Sequence, residues 1–405
     1  LQSQLNPIGN FVHRKRQMPK RMLLFISAGE VLGMTLWFSA TAAAPALASE
    51  FGLDATSRAW LTMAVQAGFV AGTLVTALTN LADAINARRL FAAGCLVGAA
   101  CNAGITLAPT ASIIVALRFL TGAALAWVYP PGMKIAAGWF RERRGTALGI
   151  LVGAVGFGSA LPHLLAWLGA GLPWRVVVGA SSVLAVAGAV LVAAAVSDGP
   201  HVSASAPFDR HALRIVLRSR GTRLAMLGYF GHMWELYAMW TWIAAFAAAS
   251  LRSTTGRAGS IVAFVAIASG SVGCVMAGRW ADEWGKARVA GAAMLASAAC
   301  ALASPAFFGA SIVPLLALAV VWGFTVVADS AQFSALVTEH TARTHVGTAL
   351  TLQTSAGFLL TMASMWLVPP ITALAGWKWA FLFLAPGPLL GAVAMKRLTV
   401  LGSAE

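Results

Sequence analysis

Twelve apolar runs, each about as long as a bilayer is thick, dominate this chain. They lie near residues 22–47, 57–79, 89–108, 111–136, 145–170, 175–196, 224–249, 258–278, 288–308, 311–335, 346–370 and 377–395. About 20 apolar residues carry a helix across hydrocarbon, and backbone groups in lipid must find partners within their own segment. The pattern predicts an all-α polytopic membrane protein with 12 transmembrane helices. Only 10% of the residues are charged and 59% are hydrophobic, whereas a soluble domain carries about a quarter charged residues. The polar stretch 198–223, with Pro200 and Pro207, divides the runs six and six. The expected units are a basic, mobile arm at 1–21, a first bundle at 22–197, a linker at 198–223, a second bundle at 224–396 and a tail at 397–405.

Orientation follows from the basic residues. With the N-terminus inside, 22 of the 28 Lys and Arg fall in cytoplasmic pieces, and the outer pieces hold Arg58, Arg175, Arg252, Arg257 and Lys378. That bias places both termini in the cytoplasm of an inner (plasma) membrane protein. It also accounts for the net charge of +15 through anionic lipid, without a nucleic-acid partner. Ala46-Leu47-Ala48 after a basic flank mimics a secretory cleavage site. The preceding run, however, is long enough to span and contains Glu30, so it is read as a membrane helix. Cys95, Cys101, Cys274 and Cys300 sit singly in apolar runs and read as packing residues.

The halves repeat one another. Glu30, Gly33, Met34 and Trp37 return as Glu235, Ala238, Met239 and Trp242. Asn80-Leu-Ala-Asp83 returns as Arg279-Trp-Ala-Asp282, Gly145-Thr-Ala-Leu148 as Gly347-Thr-Ala-Leu350, and Trp174-Arg175 as Trp377-Lys378. The offsets of 205, 199, 202 and 203 residues are nearly one value, which indicates a duplicated six-helix unit with pseudo-symmetric bundles. Residues 0, 3, 4 and 7 share a helix face, so the Glu-to-Trp stripes are read as two walls of one central cavity.

Between the eighth and ninth runs, Gly278-Arg-Trp-Ala-Asp282-Glu-Trp-Gly285-Lys286-Ala-Arg288 resembles a loop motif of the major facilitator superfamily of secondary transporters. The first-half copy departs from it: Thr79 replaces the first Gly and Asn86 the second. Asn tolerates the left-handed turn. The resemblance covers essentially the whole chain and implies two bundles that alternate access. It also implies that Asp83 and Asp282, with Gly278 and Gly285, form conformational latches in which each Asp caps a helix end of the opposite half. Arg118-Phe-Leu-Thr-Gly122 is similar to the family's fourth-helix motif, often tied to proton coupling. On the fifth run, Gly149, Gly153, Gly156 and Gly158 lack the exporter signature, since Ala154 follows Gly153. They read as packing positions.

Few ionisable residues remain inside the runs: Glu30, Arg118, His163, His232, Glu235 and Asp329. Glu30, Arg118, His232, Glu235 and Asp329 fall on the first, fourth, seventh and tenth helices, which line the cavity in the superfamily. A mid-bilayer charge costs about 2.5–3.5 kcal/mol on insertion scales, so those retained mark function. Glu235, tuned by His232 three residues earlier, is the preferred proton carrier. Asp329 reads as part of a cytoplasmic gate, His163 as a packing residue, and Arg118 as either an ion-pair partner or a substrate contact. Trp37, Gln66, Trp127, Met239, Trp242 and Gln353 are the cavity-lining candidates.

The expected function is secondary transport of a small organic solute, with proton-coupled uptake favoured and a monomer expected. Alternatives are efflux of organic cations or drugs, transport of small anions or metal ions, and a non-transporting sensor on the same scaffold. No phosphate loop, catalytic triad or zinc spacing occurs, so neither an enzyme nor a cofactor is expected.

Overall fold

A computed structural model describes residues 7–140, 144–201, 212–253 and 256–402. The middle of the linker and the ends of both termini lie outside the described residues. Ten helices are long and apolar enough to cross a membrane: α2 (Ala55–Leu78), α3 (Ala87–Leu107), α4 (Ala111–Trp139), α5 (Gly145–Leu168), α6 (Trp174–Ala195), α8 (Arg257–Trp284), α9 (Lys286–Phe307), α10 (Ile312–Glu339), α11 (Val346–Ala375) and α12 (Trp377–Leu401). The remaining two are α1 (Pro7–Met34) and α7 (Arg220–Ser250). These two carry the repeated Glu stripe, and their polar residues keep them out of the more apolar set. No strand occurs among the described residues. The backbone of 7–21, expected as a mobile arm, is helical and continuous with α1.

The duplication is visible in the packing. In the first half α2 crosses α4 at Gly68 and Gly122, where an added Cβ would strike the backbone of Phe119 or Val65. In the second half α8 crosses α10 at Gly270 and Gly323, against the Ala266 backbone. Small residues let the paired backbones touch where no hydrophobic force drives helices together in lipid. The glycine of the Arg118-to-Gly122 motif therefore has a structural use: it is the crossing point.

Three helices, each the first or fourth of its repeat, are interrupted. α1 stops at Met34 and resumes as short helices at Ser39–Ala42 and Ala44–Phe51. α4 loosens at Ala126–Val128, just before Pro130 and Pro131, which lack the N–H a helix needs. α10 is broken at Asp329. α7 runs unbroken. Such breaks free backbone carbonyls at membrane depth, and these need new partners.

The connections α2–α3, α4–α5, α6–α7, α8–α9 and α10–α11 share one side, here the linker face; the other side is the far face. On the linker face Asn86 does not adopt the left-handed turn expected of it. It has φ −54° and caps α3, its side chain accepting from the backbone N–H of Arg88 at 3.0 Å. A side chain that can cap a helix has no need of positive φ. Asn80 takes the left-handed conformation instead (φ 51°), while Gly285, the second-half counterpart of Asn86, has φ 88°.

Candidate functional site

In the first half the buried cation is held by neutral groups. Arg118, fully buried, donates from Nη1 to the carbonyl oxygen of Leu36 (2.8 Å), Ser39 Oγ (3.1 Å) and Asn102 Oδ1 (3.2 Å), and from Nε to Leu61 O (3.0 Å). Nη2 donates to Trp37 O. Leu36 and Trp37 lie in the break of α1, so the guanidinium bonds carbonyls that the helix has released. Asn102 is itself fixed by donating to Val178 O and Ser182 Oγ, each at 3.0 Å. No carboxylate takes part in this network. Of the two roles open for Arg118, ion-pair partner or substrate contact, the geometry shows neither.

Glu30, on α1 ahead of the break that holds Leu36, lies nearer the linker face. It is fully buried, and neither carboxyl oxygen has a hydrogen-bond partner. One oxygen fills the space that a side chain at Gly132 of α4 would need, with Phe91 of α3 beside it. Its counterpart Glu235 is equally buried but supported: Ser297 of α9 donates at 2.8 Å and Trp322 of α10 at 2.7 Å. Each Glu therefore points into its own half, toward the third and fourth helices of its repeat. The stripes are not facing walls of one cavity. Helical spacing put Glu and Trp on one side of the helix, but the α1 break turns Trp37 away from Glu30.

His232 does not approach Glu235 as its partner. Its Nδ1 lies 2.8 Å from Asp329 Oδ1 at the break of α10, a contact without good hydrogen-bond alignment, and both residues are buried. Trp242 donates to Met365 O at 3.1 Å and Trp127 to Thr76 at 3.0 Å, each inside its own half. Met239 is buried in α7, and Gln353 is buried with neither amide atom partnered.

The halves meet along a seam that the sequence reading only partly contained. Trp37 and Phe69 lie against Tyr237 and Phe358, with ring centroids 4.8–5.7 Å apart. Phe38 packs on Tyr237 at 6.3 Å and on Trp240 at 5.9 Å. Beside the rings Thr361 donates to Gln66 Oε1 across the seam. His163 adjoins Phe38, its ring centroid 6.2 Å away, with both nitrogens unpartnered. Phe38, Phe69, Tyr237, Trp240 and Phe358 were missed because aromatic residues in a membrane helix carry no mark separating lipid-facing from partner-facing positions.

Toward the linker face α5 and α8 touch through backbone. An added Cβ on Gly149 would lie 3.1 Å from Cys274 O, and one on Gly153 2.9 Å from Ser271 O. At the end of this contact Asp282 reaches the start of α5: Oδ2 is 3.5 Å from Thr146 Oγ1, and a Cβ on Gly145 would lie 3.2 Å from Oδ1. Gly278 faces the Gly145 carbonyl in the same strip. Asp83 forms an ion pair with Lys134 of its own half. On the far face Arg257 of α8 stacks over the Trp167 ring of α5 at 5.3 Å. The halves thus touch at both faces and in the middle.

The family profile described as "Major Facilitator Superfamily" matches residues 26–274 and 225–402. Among solved structures, the xylose transporter XylE from E. coli, partially occluded and inward open, is similar with TM-score 0.72 and 13% identity, over 94% of this chain and 97% of that one. The nucleoside transporter NupG is similar with TM-score 0.69 and 13% identity, over 93% and 99%. The human organic anion transporter MFSD10 is similar with TM-score 0.67 and 14% identity, over 93% and 99%. At these identities the likeness is one of fold. The profile match along nearly the whole chain, on twelve helices in two repeated bundles, makes this protein a membrane transporter of the major facilitator superfamily.

Proposed function

We propose that the protein carries a small organic solute by alternating access, coupled to protons through Glu30, in the direction of uptake. The observation that carries this reading is the Glu30 carboxyl, buried in a membrane helix with neither oxygen partnered. An ionised carboxylate without a donor or a cation is costly in hydrocarbon, and binding a proton removes that cost. Glu235 has two donors for its charge and His232 has Asp329, so Glu30 replaces Glu235 as the preferred carrier. The closed arrangement, with halves in contact at both faces, suits an occluded stage between two open ones. The basic linker face is the cytoplasmic one on the charge bias of the connections. Similarity in fold to transporters titled for xylose, nucleosides and organic anions is in keeping with a small organic cargo.

The test is flux into proteoliposomes of a solute selected by thermal-shift screening. Glu30→Gln should lose accumulation driven by a pH gradient while keeping exchange of solute for solute. Undiminished pH-driven accumulation in Glu30→Gln would remove Glu30 from the coupling.

A further inference from the structure

We infer that the seam around Trp37, Gln66, His163 and Trp240 is a binding site for a planar, uncharged organic molecule bearing hydrogen-bond acceptors. The inference deepens the transport reading and rests on it, because the rings become available only when the halves part.

The first observation is a set of buried donors without acceptors. Trp37 Nε1, Trp240 Nε1 and Gln66 Nε2 are buried with no partner. A buried indole N–H ordinarily finds an acceptor, and leaving one without costs about 1–3 kcal/mol. Elsewhere the chain obeys that rule: Trp127, Trp234, Trp242 and Trp322 each donate to oxygen at 2.7–3.1 Å. The orphan indoles belong to the inter-half ring cluster.

The second observation is the surface those donors edge. Rings from the α1 break and α2 meet rings from α7 and α11, stacked, tilted or edge-on, with centroids 4.8–6.3 Å apart. When the halves part, each set presents aromatic faces that a flat molecule can replace ring for ring.

Charge and hydrogen-bond sense then narrow the class. Arg118 is bonded to carbonyls, Glu235 to Ser297 and Trp322, and His232 lies against Asp329. Glu30 turns toward Gly132. Among the described residues no full charge is directed at the ring cluster, and a buried ion without a counter-charge is strongly disfavoured. Indole N–H groups donate only. Gln66 Oε1 already accepts from Thr361, so the amide offers mainly its N–H. A polyol would bring several O–H donors and find few acceptors, a ring nitrogen of His163 and the hydroxyl oxygens of Tyr237 and Ser271, whereas the unpartnered groups at the rings themselves are N–H donors. Conjugated carbonyls or ring nitrogens match the site, because unpaired polar groups are what a buried site rejects most strongly.

The test uses the full chain in nanodiscs and four probes: nicotinamide (flat, neutral, accepting), benzylamine (flat cation), benzoate (flat anion) and glucose (neutral polyol). Nicotinamide should raise the apparent melting temperature and change the tryptophan emission. Trp240→Phe keeps the ring and removes the N–H, and should weaken nicotinamide binding about tenfold, as loss of one buried hydrogen bond does. Gln66→Leu should do the same and serves if Trp240→Phe fails to fold. Stabilisation by benzylamine, benzoate or glucose in place of nicotinamide, or by none of the four, overturns the class. So does unchanged nicotinamide affinity in both variants. Flux separates this from the transport reading. Glucose bound and carried into proteoliposomes would overturn the class and leave transport standing, whereas nicotinamide bound without flux of any probe would leave the class standing and overturn the use of the seam as the transport site.

Discussion

Arg118 donates to the carbonyl oxygen of Leu36 at 2.8 Å, where α1 leaves its own hydrogen-bond ladder. Five acceptors converge on that guanidinium, so it fixes the bend that aims Trp37 at the other half. Arg118→Gln should lower the apparent melting temperature, each carbonyl left without a donor costing about 1–3 kcal/mol. Arg118→Lys keeps the charge but lacks the planar fork, and should recover only part of the loss. If Arg118 instead served the solute directly, Gln would leave the melting temperature unchanged and weaken binding alone.

The α5–α8 strip has no room for a side chain. Gly149→Leu should prop the linker face open by forcing Cys274 and its neighbours away. In a background with the native cysteines replaced by alanine, Thr146→Cys should then react faster with a membrane-impermeant thiol reagent supplied from the linker side. Equal labelling rates with and without Gly149→Leu would mean the strip does not close that face.

Asp282 places its carboxylate at the N-terminus of α5, beside Thr146 and Gly145. A negative charge there gains about 0.3–1 kcal/mol from the helix dipole. Asp282→Asn should therefore shift the balance toward an open linker face by up to about fivefold, read as spin-label distances between α5 and α8. An unaltered distance distribution would show that Asp282 is an ordinary turn residue.

Outside the spans, Glu50 links the extension of α1 to α6. It accepts from Arg175 Nη2 at 2.7 Å and from Trp174 Nε1 at 2.6 Å. The Arg175 hydrogen bond first, then that of Trp174, holds the Glu50 carboxyl below its ordinary value of 4.5. With the folded value depressed, the stabilisation is complete above 4.5 and is lost as pH falls through the depressed value. The wild type should lose melting temperature on acidification below that point, and Glu50→Gln should lose less. Parallel acid profiles for the two would place the acid sensitivity elsewhere.

Much of the fold was legible because the bilayer imposes a length on each span and the duplication imposes an order. Both act on runs of sequence. The place of Asp282 just before the α8–α9 turn was legible as well, since its motif brings a Gly-bounded turn with it. The directions of the side chains were not. Period alone placed Glu30 with Trp37, and Glu235 with His232. The break at Met34 rotates Trp37 out of that stripe, and Asp329 at the α10 break draws His232 to itself. The breaks have weak local signatures: prolines mark the one in α4, and after the α1 break only Pro45 at the start of the last short helix. Lipid and protein interior are also equally apolar, so hydropathy cannot tell Phe69 or Phe358, which face the seam, from Phe119, which is exposed on α4.

If the halves part as the proposed cycle requires, the backbone contact between α5 and α8 bears on how reversibly they do so. Gly149 and Gly153 have no side-chain torsions, and their neighbours across the gap present carbonyls. Parting such surfaces releases almost no rotamer entropy, so rejoining them needs no search among side-chain arrangements. In that cycle the strip would act as a pair of flat dies that register on first contact. The rate of reclosing would then be left to the loops and to the ring cluster above, where torsions do have to be reset.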